Sequence, residues 1–343
     1  MKKSFFVLGV AVAALASCTN EEVVDMPQSR AIQFGTFVNH STRSSVIETT
    51  ETNFKKFFVF GNYDESWTPV YTNVQVDGGT VGAEGTVWNP TQTAYWIDSK
   101  KYRFGAYSDG ENPNENVSFN ADKRELTFED YTVGNNKDLI VAIPEEKTAQ
   151  ASNNAPVNLS FYHMLSQVKF TFNNTDSYDY KMEISDIKVN AVKTTTGTAT
   201  YNESGAPSIK WESQDVSTEE YDFGTLGDIA EEFTDGTHTT TCFVIPQPNT
   251  NLEVSFTATF KDKNDKTIAT NEFTGNLKYS GTKEGTKADE WTPGFKYNYT
   301  VEINGKTIDP TLDKQIIQFK VVDVDEWTDA DATTVTPENN AGK

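Results

Sequence analysis

Apolar residues in this chain recur at every second position far more often than at every third or fourth. Val168, Phe170 and Phe172 alternate with Lys169 and Thr171 in "VNLSFYHMLSQVKFTFNN", the period of a half-buried strand. Met182 and Ile184 share one face of "KMEISDIKVNAV", and Ile187 and Val189 rejoin it only after a phase shift. Ile32, Phe34 and Val38 keep the same period in "AIQFGTFVNHSTRSSV", which runs through a polar turn into Arg43. Further strands are expected in "FKKFFVFGNY", in a hairpin of "YTNVQVDGG" with "TVWNP", and on both sides of the polar turn 98–101 in "TAYWIDSKKYRFGAYSDG". "RELTFEDYTV", "DLIVAIP", "TTCFVIPQP", "NLEVSFTATFKD", "FKYNYTVEING" and "IIQFKVVDVDEW" complete the series. Helix is expected only in short pieces, at Tyr162–Ser166 and in "LGDIAEEF". Short strands punctuated by turn residues predict an all-β protein built of sandwiches.

A length of 343 residues suits about two domains. The polar stretch "EEKTAQASNNAP" has no apolar period and places a boundary near residue 152. The expected sandwiches are therefore 44–152 and 153–327, with a polar tail over 328–343 in which Val335 is the one sizeable apolar residue. At the other end, Lys2 and Lys3 precede "FFVLGVAVAAL", an apolar run too short to span a membrane and laid out as a signal peptide. It ends in Leu15, Ala16, Ser17 and Cys18, a match to the bacterial lipobox. Residues 1–18 are then the signal segment, and Cys18 is expected to be lipidated and to become the first residue of the exported form.

A formal net charge of −21 argues against nucleic acid or an anionic membrane surface as a partner, since both repel an acidic protein. Cys242 is the only cysteine besides Cys18, so the mature residues form no internal disulfide, and Cys242 is expected in the core. His40, His163 and His238 have no metal-ligand spacing, and His163 reads as a hydrogen-bonded structural residue. No nucleophile elbow, phosphate loop or dinucleotide fingerprint is present; "GGTVGAEG" has the wrong spacing. The acidic run carries Asp323, Asp325, Asp329 and Asp331, but Trp327 stands at the third ligand position of a calcium loop and no glycine follows. It reads as a solvated edge. No catalytic residue, metal or cofactor is expected. Trp88, Tyr95, Trp96, Tyr102, Phe104 and Tyr107 form either an exposed platform for glycans or a sandwich core, and alternation favours burial for Trp96 and Phe104.

Several stretches, in order, resemble the fimbrillin family of Bacteroidota, the Mfa-like and major fimbrial pilins of type V pili. "WNPTQTAYWIDSKKYRFGAYSDG" is similar to the family's aromatic strand pair, "DLIVA" with "VNLSFYHMLSQVKFTF" to its inter-domain junction, and "GFKYNYTVEING" with "VVDVDEW" to its closing strands. The aromatic strand departs from the pattern by an inserted Gly105. The resemblance implies two tandem transthyretin-like Greek-key β-sandwiches in a structural pilus subunit that supports adhesion. It implies export as a lipoprotein, then cutting by an arginine-specific protease that removes residues 19–43 with the first strand, that of Ile32, Phe34 and Val38. A strand from a neighbouring pilin subunit then fills the open groove. Arg43 matches the processed arginine, making Ser44 the mature start; a cut at the rival Arg30 would leave the strand in place. Such processing removes four positive and three negative charges (Lys2, Lys3, Arg30 and Arg43 against Glu21, Glu22 and Asp25), so solubility hardly changes. The donor is either the segment around Ile317, Phe319, Val321, Val322 and Val324, whose alternation switches face at Val322, or absent, as in a tip or accessory subunit. A bulge, or passage between two sheets, would explain the switch.

Overall fold

A computed structural model describes residues 30–38, 54–78, 87–110, 113–134, 137–151, 154–174, 181–214, 216–229, 239–262, 264–281, 283–303, 314–316 and 320–326. The described residues form strands and no α-helix. In chain order these are β1 (Phe34–Val38), β2 (Lys56–Tyr63), β3 (Thr68–Asp77), β4 (Asn89–Pro90), β5 (Lys101–Ser108), β6 (Val117–Asn120), β7 (Glu125–Thr132) and β8 (Ile140–Ala142). β9 (Lys147–Thr148), β10 (Val157–His163), β11 (Ser166–Asn174), β12 (Lys181–Val192), β13 (Thr194–Thr200), β14 (Ser208–Trp211), β15 (Thr218–Asp222) and β16 (Leu226–Ile229) follow. The last are β17 (Thr239–Val244), β18 (Glu253–Lys261), β19 (Thr267–Asn276), β20 (Phe295–Ile303), β21 (Lys314–Ile316) and β22 (Lys320–Glu326).

The all-β expectation is met; of the two short helices expected, the first is not found, and the described part of the second is strand, its residues 230–233 lying outside the described residues. Tyr162 and His163 end β10 and Ser166 begins β11, while Leu226–Ile229 is strand β16. Helices this short are marginal on their own, and alternating neighbours with sheet partners outcompete them. The aromatic segment before the 98–101 turn is not a full strand either; Tyr95 makes only an isolated bridge, to Ala31.

Alternation sets which residues enter the core. β10 buries Val157, Leu159, Phe161 and His163 and turns Asn158, Ser160 and Tyr162 outward. β2 and β5 are buried on both faces, which marks them as the middle layer of a stack. One face, with Phe57, Val59, Tyr102 and Phe104, joins an aromatic cluster with Trp88, Trp96, Leu159 and Phe161. The other, with Phe58, Phe60 and Tyr107, packs on the four-stranded sheet β14-β13-β7-β6, where Tyr107 meets Phe128 edge-on at 5.5 Å. The inserted Gly105 has its reason here. A Cβ at that position would lie 2.7 Å from the Phe119 ring of β6, so only glycine allows the two layers to approach this closely.

The second half is a sandwich of β17-β11-β20-β22 on β15-β12-β18-β19-β21, with β16 beside β12. Phe172 meets Phe256 at 4.9 Å and Phe170 meets Phe223 at 4.8 Å. The phase shift expected in β12 is a register slip between Ser185 and Lys188, at Asp186, whose φ is +53°. That slip returns Ile187 and Val189 to the face of Ile184, and all three are buried. At the carboxyl end, Asn298 faces Asp323 but Tyr299 faces Val321, so Val322 is the extra residue of a bulge. The same segment changes sheets, with β21 beside β19 and β22 beside β20. Ile317 and Phe319 lie outside the described residues.

Hydrogen-bonded strands cross the boundary expected near residue 152. β10 belongs to the eight-stranded sheet of the first half, next to β8. The β13–β14 hairpin pairs with β7.

Candidate functional site

The eight-stranded sheet follows the order β1-β10-β8-β5-β2-β3-β4, with β9 on β5. Its two ends meet. Just before β4, the Trp88 amide donates to the Phe34 carbonyl at 2.8 Å, and the Phe34 amide donates to the Trp88 carbonyl at 3.1 Å. The segment from Arg30 through β1 is therefore the stave that closes a ring, bonded on one edge along β1 and on the other from Arg30, Ile32 and Phe34. On one side it runs parallel to β10, with Phe34 opposite Val157 and Val38 opposite Phe161, and the Val157 amide donates to the Gln33 carbonyl at 2.8 Å. On the other side the Ile32 amide donates to the Ala94 carbonyl at 2.8 Å, and the Trp96 amide to the Arg30 carbonyl at 2.9 Å.

Ile32 and Phe34 point into the ring and are buried. The Phe34 ring stands edge-on to Phe57 at 5.9 Å and to Phe104 at 5.6 Å, and lies 6.1 Å from Tyr71. Burial pushes the Tyr71 and Tyr102 phenols up, and Tyr102 Oη accepts the Ile97 amide at 2.8 Å. Without β1, this wall of rings would face water, together with the backbone amides of Trp88, Trp96 and Val157 and the carbonyls of Trp88 and Ala94. Both kinds of exposure are unfavourable.

Of the expected removable strand, Ile32 and Phe34 are core residues and Val38 is the last residue of β1. Arg30 is half-buried, and its guanidinium Nη2 donates to the Trp96 carbonyl at 3.3 Å. Cys18, His40, Arg43, Ser44 and His238 lie outside the described residues. Of the expected donor residues, Val321, Val322 and Val324 lie in β22, which among the described residues pairs with β20 at the end of its sheet.

The glycan platform is not formed by the six aromatic residues named above. Trp88, Trp96, Tyr102, Phe104 and Tyr107 are all within 2% of full burial, and only Tyr95 is exposed, at 38%. His163 is buried against Asp138, with Nδ1 3.0 Å from Oδ1, the structural role expected of it. Cys242 is half-buried rather than in the core. Its Sγ donates to the Asp222 carbonyl at 3.5 Å, and burial pushes its thiol up to about 12. In the acidic run, Asp323 stands opposite Asn298 and Asp325 opposite Lys296, while Trp327, Asp329 and Asp331 lie outside the described residues. Among the described residues, no three potential metal ligands come together. Local periodicity could not reveal the partners of β1. Trp88, Ala94 and Val157 are 50 to more than 100 positions away, and nothing in a two-residue period says which distant edge a strand will join.

The profile of the fimbrillin-like family matches residues 42–327. No curated protein matches the chain. Among solved structures, a candidate cell adhesion protein of Bacteroides uniformis shares 18% identity, covering 88% of this chain and 100% of its own, with a TM-score of 0.47. A candidate cell adhesion protein of Bacteroides ovatus shares 14%, covering 88% and 99%, with a TM-score of 0.47. A fimbrial assembly protein of Parabacteroides distasonis shares 12%, covering 80% and 92%, with a TM-score of 0.41.

Proposed function

Because the chain belongs to the fimbrillin-like family, we propose that it is a structural subunit of a cell-surface pilus, assembled by exchanging β1 for a strand of a neighbouring subunit. The precursor is exported as a lipoprotein on Cys18 and reaches the outer membrane. An arginine-specific protease cuts after Arg43, leaving Ser44 as the mature start. The released segment takes Ile32, Phe34 and Val38 with it. The subunit has no catalytic role.

The observation that carries this reading is the seat of β1. It is bonded on both edges, it covers an aromatic core, and its covalent link to β2 is residues 39–55, which contain Arg43. One cut there turns a built-in stave into a separate peptide. A cut at Arg30 would leave β1 joined to β2, and the half-buried guanidinium of Arg30 is engaged with Trp96. The family match begins at residue 42, so β1 lies outside it. A strand that refills the seat restores the ladder and reburies apolar area at roughly 25 cal/mol per Å². The donor is the 316–324 segment, whose Val321, Val322 and Val324 occupy a strand that, among the described residues, lies at the end of its sheet. Head-to-tail contacts of this kind do not close and so give a fibre.

Amino-terminal sequencing of protein sheared from cells tests the reading. A start at Ser44 is expected, together with heat-resistant ladders on a gel, and Arg43→Ala should abolish both. A lipidated Cys18 on all of the mature protein would rule out polymerisation by this route.

A further inference from the structure

A second feature lies on the outer wall of the ring, on the reverse face of β10. The outward residues Asn158, Ser160 and Tyr162 form the floor of a cavity of about 410 Å³. One bank is the Pro144–Lys147 segment, and the other is the turn after β13, with Tyr201 and Glu203. The volume falls within the range of small-ligand sites, roughly 300–1,000 Å³.

The lining has a definite chemistry. Tyr162 and Tyr201 are half-buried rings from two different elements. Arg124 covers one face of Tyr201, its guanidinium carbon 3.1 Å from the ring centroid, and the Tyr201 amide is tied to the Arg124 carbonyl at 2.9 Å. The ring is thus fixed before any ligand arrives, which lowers the ordering cost of binding. Asn158, Ser160 and Glu203 present planar or hydroxyl hydrogen-bonding groups to the same space. Glu146 is already engaged by Arg103 at 2.8 Å and Lys101 at 3.2 Å; burial alone would raise its carboxyl, but these two cations hold it below its ordinary value.

We propose that this cavity binds a short neutral saccharide. Ring faces accept the apolar C–H face of a sugar. Carboxylate and amide oxygens accept its hydroxyl protons. Exposed Glu203 and Glu145, on a chain of net charge −21, disfavour sialylated or sulfated sugars, and the one amine of the lining, that of Lys147, donates to the Ala155 carbonyl. Most of the lining faces away from the ring interior, where Leu159 and Phe161 lie, but the floor adjoins β1: Val157 belongs both to the lining and to the aromatic cluster, and a Cβ on Gly35 would lie 2.9 Å from the Asn158 side-chain oxygen.

The test is titration of the purified full chain with neutral di- and trisaccharides of glucose, galactose, mannose and N-acetylglucosamine, with 3′-sialyllactose and tri-lysine as comparators. Side-chain amide signals of Asn158 and Asn202 serve as the readout. Saturable shifts with at least one neutral sugar are expected. Glu203→Ala, on an exposed turn, should weaken binding about tenfold with an unchanged unfolding midpoint. Tyr162→Leu should do the same, with Tyr162→Phe restoring most of the affinity. No saturation by any neutral sugar, preference for sialyllactose or for tri-lysine, or affinity unmoved in the Glu203→Ala and Tyr162→Leu double variant would each overturn the proposal.

Discussion

Phe34 meets three aromatic rings from three strands, and none of its surface reaches water. Phe34→Ala should therefore destabilise the precursor by about 3–5 kcal/mol, measured as a lower urea midpoint with the slope unchanged. Other buried rings set an alkaline limit. Burial pushes Tyr107 and Tyr297 up to about 12, against an ordinary value near 10. Their folded-state values are raised, so their contribution is complete below about pH 10 and is lost as pH rises towards 12. Absorbance at 295 nm should show these phenols ionising late, in step with loss of the circular dichroism of the sheets. At this scale the chain was largely legible. Trp96 and Phe104 are buried as expected, although Trp96 lies outside any strand and β5 is buried on both faces, and the slips at Asp186 and Val322 show as breaks in the two-residue period. Cys242 was not, because one thiol among threonines carries no periodicity that says how deep it lies.

The decisive element is β1. While tethered through residues 39–55 it re-seats from an effective concentration of the order of millimolar. Once the link is cut, a micromolar solution offers about a thousandfold less, roughly 4 kcal/mol of lost advantage. Protein cut after Arg43 should therefore unfold at a lower midpoint than the uncut chain. A synthetic peptide of residues 30–43 at millimolar concentration should restore it, and the same peptide carrying Phe34→Ala should not. Equal midpoints before and after the cut would mean that β1 contributes nothing to holding the ring closed. The existence of β1 is readable from Ile32 and Phe34. Its place between β10 and Trp88 is not, since register across such distances is decided by which edge is left over when the rest has paired.

Across the whole molecule, the hydrogen bonding between strands runs past the polar stretch near residue 152. β10 completes the first sheet, and the β13–β14 hairpin extends the sheet that covers it. A fragment of residues 30–152 lacks all three strands. It should show no cooperative thermal transition and should bind a hydrophobic dye, whereas residues 30–211 retain every strand of both sheets. A cooperative transition in the shorter fragment would show that the crossing strands are dispensable. Composition marked where the chain becomes polar, but pairing between strands far apart in sequence decides where a folding unit ends.

The two-sided seat of β1 also has a mechanical meaning. Hydrogen bonds on both edges lie across the strand, so a pull along its length loads them all at once, in shear. A pull from one side loads them singly, and the strand unzips. Any strand held in this seat would resist tension along its axis far better than a sideways tug, which is the load that a thread under flow must bear.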